Sequence, residues 1–395
     1  LEDQPESEEK YQQEFSLLMG LSVPLMFKSG FASTELRTIS NRMMALLEIL
    51  PLNVEMFPVL HTLTQYYGLR ADYEKTGEVL QLAEKLARMS GDEFYLCLSQ
   101  WGLGFLMLWL GKFEESLMRL DAMVNFYDPQ KHHTLRFTYG NDAGVASRVW
   151  SSWPLWLLGY PEKAIVRCQE AIDLANWLDD APNQLLAQIM TALLLLLMKR
   201  TQNVDQLFQS CCSLLEINKG AIYAVDLQFL QGFYDFQMGG KETGLAKMCQ
   251  SMDAYQELGN RSMLSLYYTL IAEGYFELGE ISQSDKMLQK AENFIEETQE
   301  CFYKAEVLRL QARLLEEAEN FQAAENLLFQ ALHIAREQKA KSLELRAAMS
   351  LAELWEKQNR TEEAYQVLAE VTNWFTEGFD MADLKEARAL LERLG

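Results

Sequence analysis

His132 and His133 are the side chains of this 395-residue sequence that first invite a chemical reading. They stand between Asp128 and Asp142 in the polar stretch FYDPQKHHTLRFTYGNDAG, with Arg136 and Tyr139 beside them. Two imidazoles and two carboxylates could hold a metal ion or pass a proton. Adjacent His side chains, however, seldom converge on one ion without a third fixed ligand. The stretch therefore reads as a polar loop with incidental His, and no metal site is expected. The other two histidines, His61 and His333, fall in helical patterns as packed or surface residues.

Other reactive signatures are missing from the sequence. Gly111-Lys112 and Gly240-Lys241 lack the upstream Gly and the following hydroxyl of a phosphate-binding loop. WGLGFLM carries only a GxG inside a helical pattern, where small residues serve helix packing. There is no HExxH, GxSxG or kinase set. Cys97, Cys168, Cys211, Cys212, Cys249 and Cys301 form no CxxC pair and read as small buried hydrophobes in a reducing cytosol. No catalytic residue and no cofactor is expected, and the chain reads as a nonenzyme.

Binding is the other chemistry on offer. Directly after the polar stretch, VASRVWSSWPLW sets Trp150, Trp153 and Trp156 on one helix. Such a concentration fits either a packed core or an aromatic ligand groove. Composition narrows the partner. With 57 acidic against 35 basic residues and a net charge of −22, the surface repels phosphate backbones, so nucleic acid is not expected as a direct partner. The longest apolar run, Leu193–Met198, is far short of the ~20 residues that a membrane span needs. A cytoplasmic protein is expected. The sequence opens with LEDQPESEEK, without Met or a signal-type hydrophobic region, and reads as a piece of a longer protein.

The elements that must position these residues come from a repeat. Marking Ala164 and stepping forward by forty gives Val204, Gly244, Ser284, Ala324 and Ala364. Stepping back across one insertion of eight residues gives Ser116, Thr76 and Leu36. Twelve residues before each mark, small residues recur, as in Thr64, Gly104, Ser152, Ala192, Gly232, Ala272, Ala312 and Ala352. Four residues after it, apolar ones recur, as in Leu80, Leu120, Cys168, Phe208, Met248, Leu288, Leu328 and Leu368. Five residues before it stand Gly111, Gly159, Gly239, Gly279 and Asn359, residues suited to a turn. Small residues let two antiparallel helices approach, and positions four and seven apart share a face. One such hairpin cannot bury its own stripe, so the hairpins must stack. None of the eight prolines lies beyond Pro182, which suits unbroken helices in the second half.

These columns resemble the tetratricopeptide repeat, with a period of forty in place of the usual thirty-four. The expected fold is all-α, a right-handed superhelical solenoid of about nine hairpins. Residues 1–13 form an acidic flexible lead-in, and residues 14–379 the solenoid with an inserted loop near 128–144. Residues 380–395 form a capping helix that opens at Asp380 or Asp383. The segments LWLLGYPEKA, KSLELRAAMSLAELW and WFTEGFDMADLKEARALLERL, with the polar stretch above, also resemble a bacterial family. It is the tetratricopeptide C-terminal region of multidomain STAND/AAA-type ATPase proteins, often with an N-terminal class III adenylate/guanylate cyclase. Ala143 departs from the family pattern, where a Pro is expected. The resemblance implies a noncatalytic sensor arm working with ATPase or cyclase domains upstream. A large ATP-dependent transcription regulator shares the architecture, and a free-standing scaffold is the further alternative.

In tetratricopeptide proteins the first helix of each hairpin lines the inner face, fifteen, eleven and eight residues before the marked position. Here those columns read Trp101, Phe105 and Leu108, with Trp109 adjoining, then Val149, Trp153 and Trp156, and later Phe229, Phe233 and Phe236. Towards the C-terminus they read Thr269, Glu273 and Phe276, then Arg309, Arg313 and Glu316. The expectation is an inner wall that is aromatic in the middle and charged at its end, with His132, His133, Arg136, Tyr139 and Asp142 in a loop beside it. A protein, a peptide or a small ligand is the expected partner. The known clamp for acidic C-termini needs Lys and Asn where this chain has His61 and Trp101, Gln65 and Phe105, and is not expected.

Overall fold

The structure is a computed structural model and describes residues 6–29, 34–218 and 220–395. Among these residues every regular element is helical. The first hairpin pairs α1 (Glu8–Ser29) with α2 (Thr34–Ile49). Then come α3 (Phe57–Leu69) with α4 (Tyr73–Ser90), and α5 (Glu93–Trp109) with α6 (Phe113–Phe126). Two single turns, α7 (Pro129–His132) and α8 (Arg136–Tyr139), fold the insertion. The series resumes with α9 (Ala143–Leu157) and α10 (Pro161–Leu178), α11 (Ala181–Leu197) and α12 (Val204–Ile217), and α13 (Ala221–Gln237) and α14 (Lys241–Glu257). It ends with α15 (Leu264–Glu277) and α16 (Ile281–Thr298), α17 (Lys304–Glu317) and α18 (Phe321–Glu337), and α19 (Lys341–Lys357) and α20 (Thr361–Thr372). A last helix, α21 (Ala382–Leu394), covers the end by burying Leu384, Ala387, Leu390 and Leu394 against the final hairpin.

Small residues set the spacing within each hairpin. Thr76, Ser116, Ala164, Val204, Ser284, Ala324 and Ala364 are all buried. Ser116 Oγ donates to the Gly104 carbonyl at 2.7 Å, and Ser284 Oγ to the Ala272 carbonyl at 2.8 Å, so each hydroxyl bonds the facing backbone. In α13 and α14 both positions are glycine. A Cβ on Gly244 would stand 2.5 Å from the Gly232 carbonyl oxygen, a contact that only backbone separation could relieve.

The turn between the helices has one conformation throughout. Ala71, Gly111, Gly159, Lys199, Gly239, Gly279, Glu319 and Asn359 all have positive φ, one per hairpin from the second onward. Ala71, Lys199 and Glu319 hold this left-handed geometry with a side chain present, which costs each about 1–2 kcal/mol of local strain. Geometry, more than residue type, is what repeats.

The solenoid winds tightly enough for successive turns of the superhelix to touch. The Leu69 carbonyl ending α3 accepts from Arg261 N at 2.7 Å and Ser262 N at 3.1 Å. At the same separation in sequence, the Trp109 carbonyl ending α5 accepts from Cys301 N at 2.8 Å and Phe302 N at 3.2 Å. The last carbonyls of a helix have no partner within it. Here the connection before a later hairpin supplies one. Further along, Gly378 N donates to Glu162 Oε1 at 2.8 Å, and Glu162 N to Glu377 Oε1 at 2.9 Å.

Some expected boundaries shift. Residues 1–5 of the acidic lead-in lie outside the described residues, and from Glu8 the chain is already helical, not flexible. The small-residue position at Pro24 also lies outside the described side chains. The insertion near 128–144 is folded into short turns, and α9 has begun by Ala143. Neither Asp380 nor Asp383 caps α21. Met381 occupies the cap, and Asp383 is drawn inward to Arg346 at 2.7 Å.

Candidate functional site

The middle of the inner wall is closed. Trp109 and Trp153 are 0% exposed, and Val149, Trp156 and Phe229 are buried with them. Phe302, from the connection between α16 and α17, inserts its ring 5.1 Å from Trp109 and 6.3 Å from Trp153. Phe229 meets Tyr267 at 4.3 Å. Ser342 Oγ donates to the Trp156 carbonyl at 2.5 Å. These five sequence-predicted groove residues therefore pack as core. The cause is the pitch of the superhelix, which drives a later turn into the wall that an open solenoid would expose.

Two hollows remain. The first, about 270 Å³, is lined by five aromatic rings together with aliphatic and polar side chains. Trp101 and Phe105 of α5 line it as expected. Trp150 joins them, with its ring 5.0 Å from Phe105. Leu186 and Met190 of α11, Ile222, Tyr223 and Asp226 of α13, and Tyr255 of α14 add to the wall, with Thr64 and Gln65 of α3 and Asn260 and Ser262 of the connection before α15. Asp226 is buried, and burial pushes its carboxyl up to about 7 against the opposing pull of a hydrogen bond from Tyr267. From the insertion, Asn141 reaches the lining.

The second hollow, about 660 Å³, opens between α11, α13, α15, α17, α19 and α21. Phe233 and Phe236 stand at its apolar edge. Its floor is an ion network. Arg309 contacts Glu306 at 2.8 Å and Glu273 at 3.6 Å. Arg346 contacts Asp383 at 2.7 Å and Glu306 at 3.6 Å. Lys199 extends the network to Asp383 at 3.5 Å and to Glu386 at 2.8 Å. Burial would raise the Glu306 carboxyl, but Arg309 and Arg346 outweigh it and hold it at about 2. Nearer the opening, Arg313 lies 4.3 Å over the Phe276 ring. The charged end of the inner wall thus stands where the column reading put it, with Glu273, Arg309 and Arg313 together. Gln237 also lines this cleft. Its Nε2 donates to the Leu196 carbonyl at 3.0 Å, while its buried Oε1 has no partner among the described residues.

The loop candidates do not assemble into one site. His132 Nδ1 accepts from Asp128 N at 3.0 Å, and its ring stacks on Phe126 at 5.1 Å. His133 Nδ1 pairs with the Pro129 carbonyl at 2.8 Å, and its ring faces Trp177 at 6.1 Å. Arg136 turns to Asp180 at 3.6 Å. Asp142 caps α9, accepting from Val145 N at 3.0 Å and Tyr127 Oη at 2.5 Å. Tyr139 is buried against His61, with ring centres 5.1 Å apart. Burial lowers His61 to about 4, so it packs as a neutral ring. Local helix ends and turns account for each of these positions. Among the described residues no cluster of three or more His, Cys, Asp or Glu could hold a metal ion.

Several buried acids escaped the sequence reading, and two of them have no cationic partner among the described residues. Glu300 is 0% exposed and accepts from Tyr73 Oη, Ser265 Oγ, Met263 N and Ser265 N. It joins α4 to the start of α15. Asp226 is the other. Asp226 is a lone acid in the apolar stretch AIYAVDLQFL, a weak signal available from sequence, whereas Glu300 ends the polar stretch EETQE and gave none. Among the described residues no helix is long and apolar enough to cross a membrane.

No family model matches the chain, and no curated protein matches it in sequence. Solved structures do. The chain is similar to a Rap protein complexed with competence and sporulation factor, at 9% identity over 97% of this chain and 100% of that one, with a TM-score of 0.60. NprR in complex with its cognate peptide NprX is similar at 14% identity, over 98% of this chain and 99% of that one, with a TM-score of 0.51. A STAND protein with a tetratricopeptide repeat sensor from Pyrococcus horikoshii aligns at 13% identity, over 100% of this chain and 63% of that one, with a TM-score of 0.44. At these identities the likeness is one of fold, a tetratricopeptide-like helical solenoid.

Proposed function

We propose that the chain is a noncatalytic regulatory module that binds an extended peptide along its inner face. The carrying observation is the charged cleft, which holds the acceptor Gln237 Oε1, unpartnered among the described residues, together with the guanidinium groups of Arg309, Arg313 and Arg346. A peptide backbone brings donors and acceptors that must all be satisfied when it leaves water. A cleft with Gln237, Arg309, Arg313 and Ser350 on its walls offers both kinds of partner. The apolar hollow elsewhere on the inner face offers a place for one side chain. The Rap and NprR structures, which hold a competence and sporulation factor and the peptide NprX respectively, support this reading.

Selection from a randomised heptapeptide library, followed by calorimetric titration of the best sequence, tests it. A saturable one-to-one complex is expected. Glu353 lies exposed on the cleft rim. Reversing it, Glu353→Lys, is expected to shift Kd at least about tenfold without moving the unfolding midpoint. A library that yields no saturable binder, or a Kd indifferent to the reversal, contradicts the reading. The family resemblance supports a longer protein in which ATPase or cyclase domains read the bound state. Sequencing the gene upstream of the codon for Leu1 tests that arrangement.

A further inference from the structure

The ring-lined hollow has a composition that specifies its occupant more narrowly, and this inference rests on the ligand-binding reading above. Rings of Trp101, Phe105, Trp150 and Tyr223 form much of its wall. Among the described residues that line it, Asp226 is the one carboxylate, and no Lys, Arg or His accompanies it. Asp226 is 7% exposed, and the one hydrogen bond it receives among the described residues is from Tyr267 Oη to Oδ1, at 3.3 Å. A carboxylate accepts through both oxygens, so most of this capacity is unused. Burying an acid with so few partners is costly, and a cation at Oδ2 would repay that cost. Aromatic faces attract the same charge. Trp101 Nε1 is also buried without a partner among the described residues.

We infer that this hollow binds an apolar primary amine, with the ammonium group between Asp226 and the surrounding rings and the apolar body against Trp101, Phe105 and Met190. The volume of about 270 Å³ admits a ring on a short arm and excludes a folded domain or a long chain. Burial pushes the Asp226 carboxyl up to about 7, the direction expected of a desolvated acid with no counter-ion among the described residues. Two sources carry this chemistry: a free small amine, and the amino terminus of a peptide whose first residue is apolar.

Titrating the full chain with 2-phenylethylamine and with 2-phenylethanol compares charged and neutral forms of one shape. The amine is expected to bind at least about tenfold more tightly. Asp226→Asn keeps the shape of the side chain and should erase that preference, with far-UV circular dichroism and melting temperature checking the fold. Phenylalanyl-glycyl-glycinamide, free and N-acetylated, then separates the sources. Tighter binding of the free form points to a peptide terminus, whereas binding of 2-phenylethylamine alone points to a free amine. Equal affinity for amine and alcohol in the wild type overturns the inference, as does a preference that survives Asp226→Asn. If the library-selected heptapeptide still binds in either case, the inner-face reading stands and only the amine assignment falls.

Discussion

Trp153→Ala lowers the unfolding free energy by about 3–5 kcal/mol, the range for removing a large ring from a packed core. Trp153 is 0% exposed, lies 6.3 Å from the Phe302 ring, and borders neither hollow. A residue of an open groove would behave otherwise, with ligand affinity falling and the melting temperature unchanged. Trp153→Phe should cost much less. It keeps a ring in place and removes an indole N–H that is buried without a partner among the described residues. Urea unfolding followed by circular dichroism measures both variants. A loss below about 1 kcal/mol for Trp153→Ala would mean that the superhelix is open at this level.

Arg346→Ala is expected to cost a similar amount, about 3–5 kcal/mol, because it strips the partner from charges already out of water. Arg346 binds Asp383 at 2.7 Å, sits 3.6 Å from Glu306, and donates to the Leu197 carbonyl. One side chain thereby joins α11, α17, α19 and the closing helix α21. The same network makes stability depend on acid. Glu306 titrates at about 2 in the folded chain against an ordinary 4.5. The unfolded chain therefore takes up this proton first as pH falls. The contribution is complete above about 4.5 and is lost progressively as pH drops through that value towards 2. In Arg346→Ala the loss should be smaller and end nearer the ordinary value, since one of the two guanidinium groups holding Glu306 down is gone. Unfolding curves across that range read both effects. An Arg346→Ala chain as stable as the wild type at neutral pH would show the network to be ornamental.

Much of this architecture was readable from residue spacing. The column of small residues located most of the hairpins, because close helix approach favours such residues at those positions, while the first hairpin, with Leu36 at its mark, was weaker. The charged columns at Glu273, Arg309 and Arg313 were readable for a related reason. They repeat on one helix face, and the face that turns inward is set within a single hairpin. The aromatic stripe was ambiguous because its fate depends on a longer distance. Whether Trp109 and Trp153 meet solvent or Phe302 is decided by superhelical pitch, a sum of small rotations over several hairpins. Phe302 itself sits in a connection, outside any column. Asp226 and Glu300 are single acids whose burial follows only from the assembled turns. The polar insertion was readable as a break in the repeat, but its folding against His61 through Tyr139 was not.

The central claim is that ligand enters the inner face and not the outer one. Hydrogen–deuterium exchange of the full chain, with and without the library-selected heptapeptide, tests this most directly. The account predicts slowed exchange in α11, α13, α15, α17, α19 and α21, the helices between which the charged cleft opens, with α16, α18 and α20 unchanged. Slowed exchange confined to the outer helices would contradict it.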